Sequence, residues 1–285
     1  MLRFATSGAM VLSDPSRLGD ILWPDVDAVE VGNLAAPAAV VGLVAAAAGA
    51  GLGWNLHTPL LGGGPKRLLW EPSPAWDDRL AQVEAELRTA KRLGAGYALL
   101  HAPWLPDQGL PVGRARDLCN ATLRGLGELG IDLPIVAELK LGHQGDPGLL
   151  GHIVRRPDFL EPGDIRYCLD VGDWILACEA LGADPVALYA PLASHTRVVH
   201  VHGVFRGEPY LWTPIHPDDP DAPRVLALVE LLLERTDALT VVFEHTPHRD
   251  PGSAYHRAGA AWFMRMVRGS LDKPDGRRAA GSRVP

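Results

Sequence analysis

The chain has 285 residues, of which 47% are hydrophobic, so it can bury a core without disulfide bonds. Its formal net charge of −7, with no stripe of Lys and Arg along any predicted element, argues against nucleic acid as a partner. No apolar run approaches the roughly 18 residues that a membrane-spanning helix needs, so a membrane partner is not expected either.

Eight short apolar runs bounded by Gly, Pro, Asp or Asn predict strands along the chain. The predicted strands cover 3–7, 28–32, 53–58, 97–102, 135–140, 166–171, 198–204 and 240–246. A helical segment separates nearly every pair, and the clearest is 77–93, which has one apolar face, acids at its start and bases at its end. The other predicted helices cover 36–50, 114–129, 148–156, 174–190, 223–236 and 253–268.

This alternation favours a closed α/β barrel of eight strands over an open doubly wound sheet, which usually has about five or six strands. We expect one barrel domain over residues 1–270 and a disordered C-terminal tail over 271–285. The chain begins without an evident signal peptide, and its three cysteines are widely spaced and include no CxxC pair. These features indicate a reduced, cytoplasmic protein.

Residues that can bind a metal end the later strands. In a barrel, the C-terminal ends of the strands converge on one face, so Glu138, Asp170, His202 and Glu244 are expected to lie close together. Three carboxylates and one imidazole suit a divalent ion, namely Mn, Mg, Co or Zn. A single acidic residue at a strand end is often only a helix cap, but several buried carboxylates without a cation would be costly.

The chain resembles the xylose isomerase-like TIM barrels, a superfamily of sugar isomerases, sugar epimerases and endonuclease IV-type enzymes. The resemblance spans roughly residues 3–268 and rests on motifs in a fixed order: VEVG, two HxP motifs, VAEL, CLDVG, HVHG and VFEH. By this resemblance Glu138 and Glu244 are metal ligands that also exchange protons with the substrate. Asp170 and His202 match the remaining metal ligands.

Two positions depart from the pattern of the superfamily. Many members have a His where this chain has Asp173, and an Asn is common where it has Lys140. Lys140 could bind an anionic or hydroxyl group of the substrate, or it could pair with Asp173 or Glu138. Asp173 could be an extra ligand or the cap of the next helix.

Other candidate substrate-binding residues follow strands three, four and seven. His57 and His101 lie where the phosphodiesterase branch of the superfamily uses histidines to hold additional zinc ions, and His216 lies in a loop that also supplies ligands there. His200 alternates with His202 along one strand and is expected to face inward as a polar neighbour. Two long loops carry Trp70, Trp76 and Trp212, which could close over a ligand or simply cover the barrel end.

The leading hypothesis is a divalent-metal-dependent isomerase or epimerase of a small sugar-like carbonyl compound, free or phosphorylated, that works by proton transfer through an enediolate. The alternative is a metal-dependent phosphodiester hydrolase of the endonuclease IV-like branch acting on a small molecule such as a cobamide. The number of ions discriminates between them, because one ion supports proton transfer and two or three support hydrolysis. A binding protein or lyase on the same barrel remains a third hypothesis, and a homo-oligomer is compatible with each of the three.

Overall fold

The computed structural model describes residues 1–8, 15–62, 64, 67–71, 73–105, 110–141, 148–161, 163–204, 206, 213–244 and 253–271. Eight parallel strands form a closed barrel in chain order, and the last strand pairs with the first. This architecture confirms the predicted (β/α)8 fold. The strands are β1 (Leu2–Ser7), β2 (Ala28–Val31), β3 (Gly53–His57), β4 (Ala98–Leu100), β5 (Ile135–Leu139), β6 (Arg166–Asp170), β7 (Thr196–Val201) and β8 (Leu239–Phe243).

The helices lie between successive strands, and α8 follows the last one. They are α1 (Pro37–Gly49), α2 (Pro74–Arg92), α3 (Val112–Gly127), α4 (Gly148–Arg155), α5 (Val171–Ala180), α6 (Pro185–Ala193), α7 (Ala222–Arg235) and α8 (Ser253–Leu271). The interval between β1 and β2 contains a 3-10 helix, Pro15–Asp20, and a second 3-10 helix, Pro157–Phe159, follows α4. The expected tail lies outside the described residues from position 272 onwards.

The single helix predicted over 174–190 was wrong, because two helices, α5 and α6, occupy this part of the chain. Gly182 adopts a φ of +63° after the end of α5, a conformation that L side chains rarely adopt. Asp184 then caps α6 by accepting hydrogen bonds from the backbone N–H groups of Val186 and Ala187 at 2.9 and 2.8 Å. Pro185 occupies the first position of the new helix.

The barrel has an apolar interior below its polar end. Side chains alternate between the two faces of each strand, so every second residue points inward. The inward positions in the lower part of the barrel form one buried apolar cluster: Ala5, Ala28, Tyr97, Leu99, Val136, Cys168, Val198 and Val242. A larger apolar core fills the space between the outer face of the strands and the helices. The next inward layer towards the strand C-termini is polar, and it forms the site described below.

Glycines allow two loops to approach these strand ends closely. A Cβ on Gly32, directly after β2, would lie 1.5 Å from the backbone oxygen of His57. A Cβ on Gly203, after β7, would lie 2.2 Å from a carboxylate oxygen of Asp219. The glycines that end the VEVG and HVHG motifs therefore have a steric role at the end of the barrel that carries the polar cluster. No helix among the described residues is long and apolar enough to cross a membrane.

Candidate active site

Glu138 lies at the centre of a cluster of polar side chains at the C-terminal ends of the strands. It follows Val136 of the inner apolar cluster by two residues on β5, so it also points into the barrel. Its side chain is only 1% exposed. A carboxylate this deeply buried needs compensating partners.

The two carboxylate oxygens of Glu138 have different neighbours. Oε2 lies 2.9 Å from Nε2 of His101 and 3.4 Å from Nε2 of His57. Oε1 lies 2.7 Å from the Lys140 ammonium and 3.6 Å from Nδ1 of His200. These are ion-pair distances, but neither oxygen forms a hydrogen bond of normal geometry with any described residue. Glu138 therefore has one oxygen facing two imidazoles and one facing a fixed cation.

Lys140 connects three carboxylates. Besides contacting Glu138, its ammonium donates a hydrogen bond to Oδ2 of Asp170 at 2.9 Å and lies 3.2 Å from Oδ2 of Asp173. Burial alone would lower the pKa of Lys140, but the three carboxylates outweigh burial and raise it well above its usual value. Of the two roles considered from the sequence, the structure shows the pairing with Glu138 and Asp173.

Asp170 ends β6 and caps α5. Its Oδ1 accepts a hydrogen bond from the backbone N–H of Asp173 at 2.9 Å, so the cap of this helix is Asp170 and not Asp173. The same oxygen lies 3.1 Å from Nε2 of His202, whose Nδ1 lies 3.1 Å from the carbonyl oxygen of Gly203. A carboxylate and a carbonyl can only accept, so both nitrogens of His202 act as donors in this arrangement.

His200 joins Glu244 to a buried acid that the sequence analysis missed. Its Nδ1 lies 2.9 Å from Oε2 of Glu244, and its Nε2 lies 2.9 Å from Oε1 of Glu30. Tyr97 donates a hydrogen bond of 2.5 Å to the other oxygen of Glu30. The available signal was weak: Glu30 follows Ala28 by two residues on β2 and so faces inward with it.

The two glutamates proposed from the sequence for proton transfer are both ionised. Burial alone would raise the pKa of Glu138, but the charges of Lys140 and the nearby imidazoles outweigh it and hold the pKa well below its usual value. Glu244 behaves similarly: burial raises its pKa, and His200 outweighs burial and lowers it to about 2. Both carboxylates are therefore able to accept a proton at neutral pH.

Asp173 and His101 titrate differently from their neighbours. Burial and the charge of Asp170 raise the pKa of Asp173 to about 7, although Lys140 opposes them. Burial lowers the pKa of His101 to about 3 despite the adjacent Glu138. His101 is therefore a neutral imidazole near pH 7, and Asp173 is protonated in part of the molecules.

The remaining candidates lie away from this cluster or outside the described residues. His216 stacks on Tyr255 of α8, with ring centroids 4.3 Å apart, and its Nδ1 lies 3.3 Å from Asp218. Trp212 falls in the undescribed segment 207–212. Trp76 is 6% exposed and packs edge-on against Trp70. Both tryptophans pack in or against the apolar core, and whether their loop closes over a ligand or covers the barrel end stays a prediction.

Comparison with known proteins identifies the fold. No family model matches the chain, and no curated protein does. Among solved structures, the chain matches a xylose isomerase-like TIM barrel/4-hydroxyphenylpyruvate dioxygenase fusion protein at 13% identity and a TM-score of 0.61, covering 95% of this chain and 44% of the fusion protein. This chain has the xylose isomerase-like TIM barrel fold.

Two further matches share the xylose isomerase-like barrel over nearly the whole of both chains. YcjR from E. coli, a 3-keto-D-glucoside 4-epimerase, is 16% identical with a TM-score of 0.63, covering 93% of this chain and 100% of YcjR. Endonuclease IV from Thermus thermophilus is 16% identical with a TM-score of 0.51, covering 94% of this chain and 98% of the endonuclease. Identities this low show a common fold.

Two sets of side chains in the described part of this xylose isomerase-like barrel could hold a metal ion, because the donor atoms of each set lie within 4.8 Å of one another. The first set is His57, His101 and Glu138, and the second is Glu138, Asp170 and His200. The other two ligands expected from the sequence contact members of the second set: His202 contacts Asp170, and Glu244 contacts His200.

The first set fits a divalent ion. Nδ1 of His57 lies 3.1 Å from the carbonyl oxygen of Thr58, and its Nε2 lies 3.4 Å from Glu138. Burial would lower the pKa of His57, but Glu138 outweighs burial and raises it, so an ion that binds here would displace a proton from His57. His101 is neutral, and its Nδ1 has no hydrogen-bond partner among the described residues. Two imidazoles and one carboxylate suit Zn, Co or Mn once His57 has released its proton.

Proposed function

We propose that this protein is an isomerase or epimerase of a small sugar-like carbonyl compound, free or phosphorylated. The observation that supports it most directly is that Glu138 and Glu244 both lie near Nδ1 of His200, at 3.6 and 2.9 Å. Both reactions need one group that removes a proton next to a carbonyl and one that returns a proton. Two ionised carboxylates at the open end of one barrel provide this pair.

The chain itself supplies the proton transfers and the charge compensation. We assign removal of the proton to one of the two glutamates and its return to the other. Negative charge then develops on the substrate oxygens, and the Lys140 ammonium can stabilise it because this cation is already fixed beside Glu138. Return to the opposite face of the same carbon gives epimerisation, and return to the neighbouring carbon gives isomerisation.

We propose that one divalent ion takes part, held by His57, His101 and Glu138. When bound, such an ion would polarise the carbonyl group of the substrate and stabilise charge on its oxygen. Zn, Co and Mn suit these ligands best, while Mg prefers sites richer in oxygen. The net charge of −7 argues against nucleic acid as a partner, while a cytoplasmic location and a homo-oligomer remain predictions.

Solvent deuterium exchange tests the proposed function. The protein is incubated in D2O with candidate ketoses and 3-keto-glucosides, and deuterium bound to carbon is measured by mass spectrometry. Removal of one carboxylate by Glu244→Gln should slow exchange by about 10²- to 10⁴-fold, the usual contribution of general acid–base catalysis. The matched control is Glu84→Gln on the surface of α2, where Glu84 pairs only with Arg88 among the contacts described. Absence of exchange with every substrate, together with cleavage of a phosphate ester, would overturn the proposal.

A small-molecule phosphodiester hydrolase remains the second candidate. It is favoured by the convergence of His57 and His101 on one oxygen of Glu138, because the phosphodiesterase branch carries histidines at the matching positions. Hydrolases of this kind clamp the attacking and leaving oxygens between two or three ions. Two or more ions per chain, with hydrolysis of bis(4-nitrophenyl) phosphate that is lost in His57→Asn, would favour this candidate over proton transfer.

A further inference from the structure

Lys140 occupies the space in which the second set of ligands would place an ion. We infer that its ammonium replaces a divalent cation between Glu138 and Asp170, so that the chain binds no ion there. The inference rests on the proposed function for the presence of an ion at the first set. It concerns the composition of the site, however, and can be tested without measuring turnover.

The contacts of Lys140 coincide with those that a metal would need. Its Nζ lies 2.7 Å from Oε1 of Glu138 and 2.9 Å from Oδ2 of Asp170, and both carboxylates belong to the second set. A divalent ion bound to those oxygens at about 2.0–2.6 Å would lie almost on top of the ammonium. Two cations cannot share this buried space without strong repulsion.

The third member of the second set is also engaged. Both nitrogens of His200 face carboxylates, Nε2 towards Glu30 and Nδ1 towards Glu244, each at 2.9 Å. The groups left to bind an ion once Lys140 is removed are therefore carboxylates: Glu138, Asp170 and Asp173, whose Oδ2 lies 3.2 Å from the ammonium.

The two oxygens of Glu138 thus divide the site into two parts. Oε2 faces the imidazoles of His57 and His101, while Oε1 faces the ammonium of Lys140. Centres that hold several ions use carboxylates to bridge them, and here the second position is filled by a side chain of the protein. The site around Glu138 therefore binds a single divalent ion, next to the ammonium of Lys140.

Counting bound ions tests the inference. The wild type and the variants are saturated with Mn or Zn, dialysed, and measured by elemental analysis. We expect one ion per wild-type chain and a gain of one ion in Lys140→Gln, because three buried carboxylates then lack their cation. Lys140→Arg keeps the charge and should gain none. Lys91→Gln is the matched control, because Lys91 pairs with the exposed Asp132.

Two results would overturn the inference: two ions in the wild type, or a folded Lys140→Gln variant that gains none. If Lys140→Gln does not fold, the double variant His57→Asn with His101→Asn replaces it. That variant should bind no ion. An ion that it retains, and that the further change Asp170→Asn removes, would occupy the second set and contradict the inference. Neither measurement depends on catalysis, so a negative deuterium experiment would disprove the proposed reaction and leave the ion count standing.

Discussion

Glu30 and His200 form a buried pair that supports the two proposed catalytic glutamates. The side chains of Glu30 and His200 are 1% and 0% exposed. The carboxylate of Glu30 fixes the orientation of the imidazole, so Nδ1 of His200 is held towards Glu244 and Glu138. Glu30 is therefore a positioning residue, since it reaches the site only through His200.

Glu30→Gln should slow turnover with little change in substrate binding. The Gln side chain can still accept the hydrogen bond from Tyr97, but it no longer provides an anion for His200. We expect kcat to fall by about 10- to 100-fold, as is typical when a group that orients a ligand or catalytic side chain is removed, while KM changes less. Separate measurement of kcat and KM checks this.

Tyr97→Phe is the control for Glu30→Gln, because it removes only the hydrogen bond behind Glu30 and should affect kcat less. Glu30→Asp keeps the charge and should restore part of the activity. If the two conservative variants were as slow as Glu30→Gln, packing around the barrel interior would explain the loss instead.

Asp173 should make the stability of the metal-free protein depend on pH. Its pKa is raised to about 7 in the folded protein, whereas an unfolded Asp ionises near pH 4. Between about pH 4 and 7 the unfolded chain therefore holds fewer protons here than the folded protein. The contribution of Asp173 to stability falls as pH rises through this window and is constant above it.

The Asn side chain in Asp173→Asn resembles the protonated acid, so the variant should not lose stability at this position as the pH rises. The free energy of unfolding of the variant, relative to the wild type, should increase from about pH 5 to pH 7 in urea titrations that contain a chelator. A difference that does not change with pH would show that Asp173 has an ordinary pKa. Leu141, whose backbone N–H donates to Asp173 at 3.3 Å, can donate to the oxygen of the Asn as well.

Sequence reasoning reached the members of the cluster near the strand ends more easily than the contact between Glu30 and His200. Glu138 and Asp170 end strands, and Lys140 shares the inward face of Glu138 by simple alternation, so their proximity follows from the barrel. The pairing of Glu30 with His200 joins residues 170 positions apart on β2 and β7. A single sequence carries no signal for that pairing, because it depends on the diameter of the closed barrel.

At the scale of elements, a substitution at Gly32 tests whether the close approach between the ends of β2 and β3 requires a glycine. Gly32→Ala would place a Cβ 1.5 Å from the backbone oxygen of His57, so one of the two strand ends must move. We expect a loss of about 1–3 kcal/mol in the free energy of unfolding, measured by urea denaturation, and weaker metal binding through His57.

The matched control for this substitution is Gly53→Ala at the start of β3. Its Cβ would meet nothing nearer than 3.6 Å, which is ordinary van der Waals contact. Its free energy of unfolding should therefore change by less than about 0.5 kcal/mol. Equal losses in the two variants would show that the contact with His57 does not determine the effect.

Element boundaries followed the sequence where the caps were clear and departed from it where apolar residues continued across a break. The helix predicted over 77–93 corresponds to α2, which ends within one residue of the prediction and begins three residues earlier because Ser73 caps it. In the interval 174–190, Leu181 and Ala183 extend the apolar pattern between α5 and α6. The break depends instead on Gly182 and the cap at Asp184, which hydrophobic content alone does not show.

At the scale of the whole molecule, closure of the barrel joins the two ends of the described chain. β1 pairs with β8 through five pairs of residues, from Leu2 with Leu239 to Thr6 with Phe243. The alternation of strands and helices predicted this closure, since a parallel sheet of eight strands commonly closes. The alternation could not indicate which aromatic side chains cover the seam, that is, the contact between β1 and β8 that closes the barrel.

Phe263 of α8 should be required for the stability of the entire barrel. It is fully buried and packs edge-on against Phe243 at 6.1 Å, and Phe243 in turn stacks on Phe4 of β1 at 6.1 Å. Phe263→Ala should lower the free energy of unfolding by about 3–5 kcal/mol, because it leaves a cavity where α8 covers the seam. Urea denaturation followed by both tryptophan fluorescence and circular dichroism should show one shifted transition.

Met266→Ala on the same helix is the control, since Met266 is 46% exposed and its loss should cost less than about 0.5 kcal/mol. If the two signals separated in Phe263→Ala, α8 would unfold apart from the barrel, and closure would not depend on it.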